Sequence, residues 1–168
     1  AAADYIGPVY ISLTREPLPI LYSGEFPFEI GKAVIIQDGS DVTIIANRDM
    51  VAHSLMAAAS LEKQGISVRV IDCHTIKPID EETILIAAKE TKAIVTSEDN
   101  IKFGGLGSAV SELLVENYPI PMQRIAINDN FAESGPYLSL LEKYGLSSSH
   151  IEKAVIQVLE RKNTIGIN

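Results

Sequence analysis

Short runs rich in β-branched residues alternate with helix-type segments through most of this 168-residue chain. Five of these runs have the composition of strands: KAVIIQ (32–37), DVTIIA (41–46), SVRVID (67–72), AIVTS (93–97) and MQRIAI (122–127). This alternation predicts an α/β fold, a three-layer open sheet that is mostly parallel with helices on both faces. The tripeptide DGS between the first two runs predicts a hairpin or a tight reversal, and a hairpin would supply one antiparallel edge strand.

The segments between the strands carry helix signals. Asp49 is placed to cap a first helix that Gly65 would end, and Asp80 is placed to cap a second that runs to about Lys89. The stretch GGLGSAV (104–110) opens a third helix, and a short fourth is expected near YLSLLEKYG (137–145). The spacing of Ser149 and Glu152 predicts a capping box for the last helix. That helix carries one apolar stripe, formed by Ile151, Ala154, Val155, Val158 and Leu159.

The first 29 residues differ in composition from the rest of the chain. Residues 8–14 (PVYISLT) have the composition of a strand, and residues 15–31 contain three prolines and two glycines, which is typical of an irregular connector. We therefore expect residues 1–29 to belong to a different unit from the domain at 30–168. The start of the chain has no basic region like that of a signal peptide, and its three alanines suggest that an upstream part has been removed.

Charge and composition exclude several classes of function. The chain has 22 acidic and 14 basic residues, a net charge of −8, so it lacks the basic patches that bind nucleic acid. No apolar run approaches the roughly 18 residues of a membrane span. The single cysteine, Cys73, excludes an internal disulfide and is typical of a reducing compartment, so we expect a cytoplasmic protein.

The glycine turn at 104–110 is the first candidate site. A helix N-terminus attracts anions, so the turn could bind a phosphate. However, Gly104, Gly105 and Gly107 do not have the G-x-G-x-x-G spacing of a dinucleotide site, and no lysine follows as in a Walker motif. The residues favour a structural corner, with phosphate binding as the alternative.

Other candidates are less specific. Cys73 and His74 are adjacent, but neighbours at a strand end point to opposite faces, which favours a core role for Cys73 over a catalytic dyad. The histidines lack ligand spacing, so no metal site is predicted. Carboxylates follow two strands, in SEDN (97–100) and NDNFAES (128–134), where open α/β sheets bind ligands. Arg15 could bind a phosphate or carboxylate, or form an ion pair with Glu16.

Taken together, these segments resemble a known family. Five sets of segments are similar, in order along the chain, to the C-terminal part of transketolase. They are VYISLTREPLP, FEIGKAVIIQDGSDVTIIA, GISVRVIDCHTIKPID, the pair IVTSEDN and GGLGSAVSELL, and the pair FAESG and LLEKYGL. The likeness is strongest to split transketolases, in which two chains make the enzyme. The resemblance implies that residues 8–14 are the last strand of the pyrimidine-binding domain and that 30–168 are the C-terminal domain, which helps dimerisation.

The resemblance also implies an activity, which would require the missing domains. Transketolases transfer a two-carbon ketol group between sugar phosphates in the pentose phosphate pathway, using thiamine diphosphate and Mg²⁺. The cofactor lies between two domains that this chain lacks, so the resemblance implies no catalytic, cofactor-binding or metal-binding residue here. The segment alone should be inactive, with an N-terminal transketolase section or subunit as its partner and a homodimer as its assembly.

One site residue carries over from the family. Arg15 matches the arginine that contacts the sugar phosphate, so it is the expected substrate-binding residue. The chain departs from the family pattern at Arg48-Asp49, where glycine-serine is usual, at Asn100, where histidine is common, and at Ala132, where glycine is expected. The alternatives are 1-deoxyxylulose-5-phosphate synthase, a 2-oxoacid dehydrogenase beta subunit, a non-catalytic association module and an independent nucleotide-binding domain.

Overall fold

A computed structural model describes residues 1–24, 26 and 28–166. Within these residues five strands form one sheet: β1 (Val34–Gln37), β2 (Val42–Ala46), β3 (Val68–Asp72), β4 (Ile94–Ile101) and β5 (Met122–Ile127). Their order across the sheet is β1-β3-β2-β4-β5. All neighbouring strands are parallel except β1, which is antiparallel to β3 at the edge. The predicted α/β fold class is confirmed.

The helices cover both faces of this sheet. They are α1 (Met50–Glu62), α2 (Glu81–Thr91), α3 (Leu106–Asn117), α4 (Tyr137–Lys143) and α5 (Ser148–Thr164). A hydrophobic core lies on each face of the sheet, and successive residues of the central strand β2 point into opposite cores. Ile44 packs with α1 and α5, and Ile45 packs with α2 and α3. The predicted stripe of α5 is confirmed, since four of its residues are buried and Leu159 is partly buried.

The predicted hairpin is wrong because β1 and β2 do not pair, whereas the alternative of a tight reversal and the antiparallel edge strand are confirmed. β2 is buried along its whole length, so it takes a central position between β3 and β4. β1 is partly exposed and lies beyond β3 at the edge. The connecting turn passes close over the start of β3: a Cβ on Gly39 would lie 2.2 Å from the carbonyl carbon of Val68.

The predicted strand at residues 8–14 does not form. A strand needs hydrogen-bond partners, and among the described residues none pairs with this segment, whose apolar side chains are largely exposed. From residue 21 onward the connector rests on the domain: the Tyr22 hydroxyl donates to Asp72 Oδ2 at 2.6 Å, and the Ala33 amide donates to Asp80 Oδ2 at 2.8 Å. The domain boundary near residue 29 remains a prediction.

The helix caps agree only in part with the sequence. Asp80 caps α2 by accepting from the Thr83 amide at 3.1 Å, as predicted. Asp49 lies at the start of α1, but its side chain makes no capping bond. The capping box of α5 is also wrong, because this helix begins at Ser148 and its N-cap residue is Ser147. Glu152 instead accepts a hydrogen bond from the Ser60 hydroxyl on α1, at 3.0 Å.

Candidate functional site at the carboxyl edge of the sheet

The strand order defines one point at the carboxyl edge where a ligand would be expected. After β2 the chain crosses to β3 on one side, and it later returns to place β4 on the other side of β2. The crevice at such a reversal is the usual binding site of open α/β sheets. Here residues 47–49 follow β2, and Glu98 and Asp99 lie near the end of β4. The predicted carboxylate segment at 97–100 therefore lies at this point.

The glycine turn binds a carboxylate of the chain itself. Glu98 Oε2 accepts from the Leu106 amide at 2.9 Å, and Oε1 accepts from the Gly107 amide at 2.8 Å. The Glu98 side chain is almost fully buried, with 1% of the residue exposed. A carboxylate at a helix N-terminus satisfies free amides and interacts favourably with the helix dipole. Glu98 thus occupies the place at α3 that a phosphate would need, which favours the structural interpretation of the turn.

Two glycines make this arrangement possible. A Cβ on Gly105 would lie 2.0 Å from Glu98 Oε2, so a side chain there would displace the carboxylate. A Cβ on Gly107 would lie 2.9 Å from both Thr96 Oγ1 and Arg124 Cδ, so this glycine lets α3 start close against the sheet. The turn is specified by contacts inside the domain.

A second polar network lies beside the turn. Arg48 has a left-handed backbone (φ 55°), the conformation that glycine adopts readily, and its Nη2 lies 3.0 Å from Asp99 Oδ2. The Tyr137 hydroxyl, from α4, donates to Asp49 Oδ2. Asp49 is 1% exposed, and its carboxylate accepts from Tyr137 instead of from an amide of α1. This network joins the end of β2, the end of β4 and the start of α4.

Burial changes the proton affinities in this network. Burial, and then the neighbouring Asp49 carboxyl, raise the pKa of Asp99 to about 6 against the opposing effect of Arg48. Burial and the bond to Asp49 raise the pKa of Tyr137, so its hydroxyl stays a donor. Burial lowers the pKa of His53, which outweighs the attraction of Asp49. The network therefore combines a neutral histidine with two competing carboxyl groups.

The remaining candidates lie apart from this network. Cys73 is buried, and burial raises its pKa to about 12, so it is an unreactive core thiol. The His74 ring packs against Phe28, with ring centroids 4.3 Å apart, and Cys73 Sγ donates to the carbonyl of Thr75. No nucleophile–base pair joins the cysteine and the histidine. In the second carboxylate segment, Glu133 is exposed and forms an ion pair with Lys143.

Arg15 is exposed and lies outside the buried contacts. In the described part of the chain it forms no ion pair, so the alternative pairing with Glu16 is not formed. Its neighbour Glu16 lies close enough to Tyr137 to raise the pKa of that hydroxyl. The segment that carries Arg15 thus passes near the second polar network. Its role as a substrate-binding residue remains a prediction.

Sequence reasoning missed Tyr22, Tyr137 and the partner of Glu98. The two tyrosine hydroxyls donate to aspartates that lie 50 and 88 residues away in the sequence, and no local pattern reveals partners at such separations. Asp72, which accepts from Tyr22, looked only like the last residue of a strand, and burial raises its pKa. Among the described residues, no group of three or more histidine, cysteine or acidic side chains is arranged to hold a metal ion.

Comparison with known proteins identifies the family. The family model described as "Transketolase, C-terminal domain" matches residues 31–151, which is most of the chain. The chain belongs to the transketolase C-terminal domain family. The chain is similar to a solved structure described as "Split gene transketolase, inactive beta4 tetramer", with a TM-score of 0.84 and 44% sequence identity. The match covers 87% of this chain and 48% of that one.

Two curated relatives of this transketolase C-terminal domain are subunits of divided enzymes. The 6-deoxy-6-sulfo-D-fructose transketolase subunit SqwH of Clostridium sp. (strain MSTE9) is 46% identical over 94% of this chain and 49% of its own. A subunit of the apulose-4-phosphate transketolase of Phocaeicola vulgatus is 40% identical over 94% of this chain and 51% of its own. The chain therefore spans about half the length of these relatives. No described helix is long and apolar enough to cross a membrane.

Proposed function

We propose that this chain is the C-terminal section of a thiamine diphosphate-dependent transketolase. In this proposal it transfers a two-carbon ketol group between sugar phosphates only after assembly with an N-terminal section, in the cytoplasm and as a homodimer of the complete unit. The family match, and relatives that are named as transketolase subunits, support the proposal. The names of two relatives point to sugars outside the pentose phosphate pathway, so the substrates tested should include both groups.

The observation that carries this proposal is the state of the carboxyl edge. The α3 N-terminus binds Glu98, and Asp49 and Asp99 belong to the polar network at the ends of β2 and β4. Carboxylates in these places repel a diphosphate and would not hold one, so the residues present do not fit thiamine diphosphate. In this proposal the cofactor and its Mg²⁺ are bound by the N-terminal section, and this segment contributes no catalytic step.

The N-terminal segment supports a role in assembly. Its apolar side chains are exposed: Ile6 is 99% exposed, Tyr10 92% and Ile20 93%. Exposed apolar residues with the pattern of a strand are typical of a segment that completes another sheet. We propose that residues 8–14 complete the sheet of the pyrimidine-binding domain, and that this pairing places Arg15 at the sugar phosphate.

Calorimetry tests the division of roles. The isolated chain should show no binding of thiamine diphosphate with Mg²⁺, whereas the chain assembled with its N-terminal section should bind the cofactor and transfer ketol groups. Defined binding to the isolated chain would refute the division. Failure of the assembled unit to transfer a ketol group from any sugar phosphate would refute the activity.

An arginine variant tests the substrate site. Loss of one charge-assisted hydrogen bond costs about 1.5–3 kcal/mol, or roughly 10- to 150-fold in affinity. Arg15→Ala in the assembled enzyme should therefore raise KM for phosphorylated sugars by this factor and spare unphosphorylated ones. Arg161→Ala is a matched control, because Arg161 contacts Met122 at the amino edge of the sheet. Equal losses for both kinds of sugar would contradict the phosphate role.

The competing function is a non-catalytic association module. In that case residues 30–168 would form oligomers alone, and the free segment at 8–14 would pair with other copies through its edge. Light scattering of the chain with and without residues 1–24 separates the two kinds of association. An oligomer that persists without those residues reflects the domain itself, and one that disappears reflects edge pairing.

A further inference from the structure

Two carboxyl groups at the carboxyl edge each have one oxygen without a partner. Asp49 Oδ2 accepts from Tyr137, and Asp99 Oδ2 is held by Arg48. The Oδ1 atom of each is buried, and neither has a hydrogen-bond partner in the described part of the chain. Asp49 is close enough to Asp99 to raise the pKa of Asp99, both by its charge and by a side-chain hydrogen bond. An unpartnered acceptor on a buried side chain is costly, so this arrangement requires a compensating group.

A proton between the two Oδ1 atoms compensates both at once. It converts two acceptors that repel each other into a donor and an acceptor, as in carboxyl pairs that share one proton. We propose that Asp49 and Asp99 share one proton, and that this pair fastens α4 to the carboxyl edge of the sheet in a pH-dependent manner. Helix α4 depends on the pair because it is short and buries only Leu141, while its Tyr137 is bound to Asp49.

The surrounding charges favour the shared proton. Arg48, on the turn after β2, neutralises one carboxylate, and burial lowers the pKa of His53 on α1, which disfavours a second cation there. Glu16 on the connector adds a negative charge near Tyr137 of α4. With both aspartates ionised the network would therefore have excess negative charge in a buried place, and one proton removes part of it.

The direction of the pH effect follows from burial. The pKa of Asp99 is raised from 3.8 to about 6, so the folded state holds the proton more tightly than an unfolded or opened state. The fastening is complete at low pH and is lost as the pH rises through about 6. Over the whole pH range, a pKa difference of this size changes the equilibrium between the closed and open states by roughly 100-fold.

Hydrogen exchange of the 168-residue chain tests the proposal. Residues 131–144 should exchange about 10-fold more slowly at about pH 5 than at about pH 7.5, after correction for the intrinsic rate, because only part of the pKa difference lies above pH 5. In Asp99→Asn, whose amide can donate to Asp49 without a shared proton, protection should be similar at both values. Asp129→Asn removes the same charge from an exposed position and should keep the pH dependence of the unmodified chain.

Carboxyl carbon NMR of the unmodified chain gives a second measurement, which does not depend on a variant folding. Asp99 should titrate near pH 6 and return towards its ordinary range in Asp49→Asn. The proposal is overturned if Asp99 titrates near pH 4 in the unmodified chain, or if Asp99→Asn keeps the pH-dependent exchange. It is also overturned if the protection from exchange differs between a potassium salt and a tetramethylammonium salt, since the unpartnered oxygens would then hold a metal ion.

Discussion

Replacing Gly105 by alanine should destabilise the domain strongly, although the backbone there tolerates any residue. Its φ of −99° and ψ of −156° are extended, so alanine adds no backbone strain. The new Cβ would lie 2.0 Å from Glu98 Oε2 and would displace the carboxylate from two amides. A hydrogen bond to a charged group contributes about 1.5–3 kcal/mol, so the loss of both costs roughly 3–6 kcal/mol. Urea denaturation measures this change in the free energy of unfolding.

A double-mutant cycle isolates the cause. The three nearest atoms to the new Cβ all belong to the Glu98 carboxyl group, so Gly105→Ala should cost less than about 1 kcal/mol in a chain that already carries Glu98→Ala. Gly104→Ala is the matched control: its φ is +77° with open space around it, so only the left-handed backbone is penalised, by about 1–2 kcal/mol. If Gly105→Ala is equally costly with and without Glu98, the carboxylate is not the reason for the glycine.

Three further measurements test other parts of the structure. Gly107→Ala should lower the free energy of unfolding by about 1–3 kcal/mol because its Cβ would crowd Thr96, and an unchanged thermal midpoint would contradict the close packing of α3. Burial raises the pKa of Cys73 to about 12, so a disulfide reagent should label this thiol only in urea; rapid labelling of the folded chain would show that it is accessible. Tyr22→Phe removes the 2.6 Å bond to buried Asp72 and should cost about 1–3 kcal/mol in urea denaturation, whereas an unchanged midpoint would mean that the connector is not anchored there.

The strands and helices of residues 32–164 could be predicted because their signals are local. Alternating β-branched runs identified all five strands, and the 3.6-residue spacing from Ile151 to Leu159 identified the buried face of α5. Asp80 was recognisable as a cap because the amide that it binds is three residues away. In each case the physical cause lies within one or two turns of the residue concerned.

The errors have the opposite origin, since a distant partner decided each one. DGS looked like a hairpin turn, but the complete burial of β2 placed β3 and β4 beside it. Glu152 looked like part of a capping box, yet its partner is Ser60, 92 residues away. Residues 8–14, which have the composition of a strand, stay unpaired because the described residues offer no edge for them, so their pairing with another sheet stays a prediction. Composition predicts which segments could pair and does not predict their partners.

The same reasoning explains why the glycine turn suggested a ligand site. Glycines before an apolar helix indicate exposed amides and a close approach, and both features are present at Gly105 and Gly107. What approaches is Glu98, which comes from β4 only eight or nine residues earlier, so the local chain supplies its own anion. No spacing rule separates an internal carboxylate from an external phosphate, because the amides present the same chemistry to either.

Several charged groups at the carboxyl edge of this sheet are bound to partners within the domain, although one oxygen each of Asp49 and Asp99 has no partner among the described residues. Glu98 uses the helix N-terminus, Arg48 is paired with Asp99, and Asp49 accepts from Tyr137. A domain that pairs these groups internally fills the switch point, where open α/β sheets usually keep a crevice for a ligand. Such an edge is suited to support a neighbouring domain, and the connector that carries Arg15 passes beside it at Glu16. What this edge offers to a neighbouring domain is therefore a set of charges that are mostly paired already, rather than an open binding crevice.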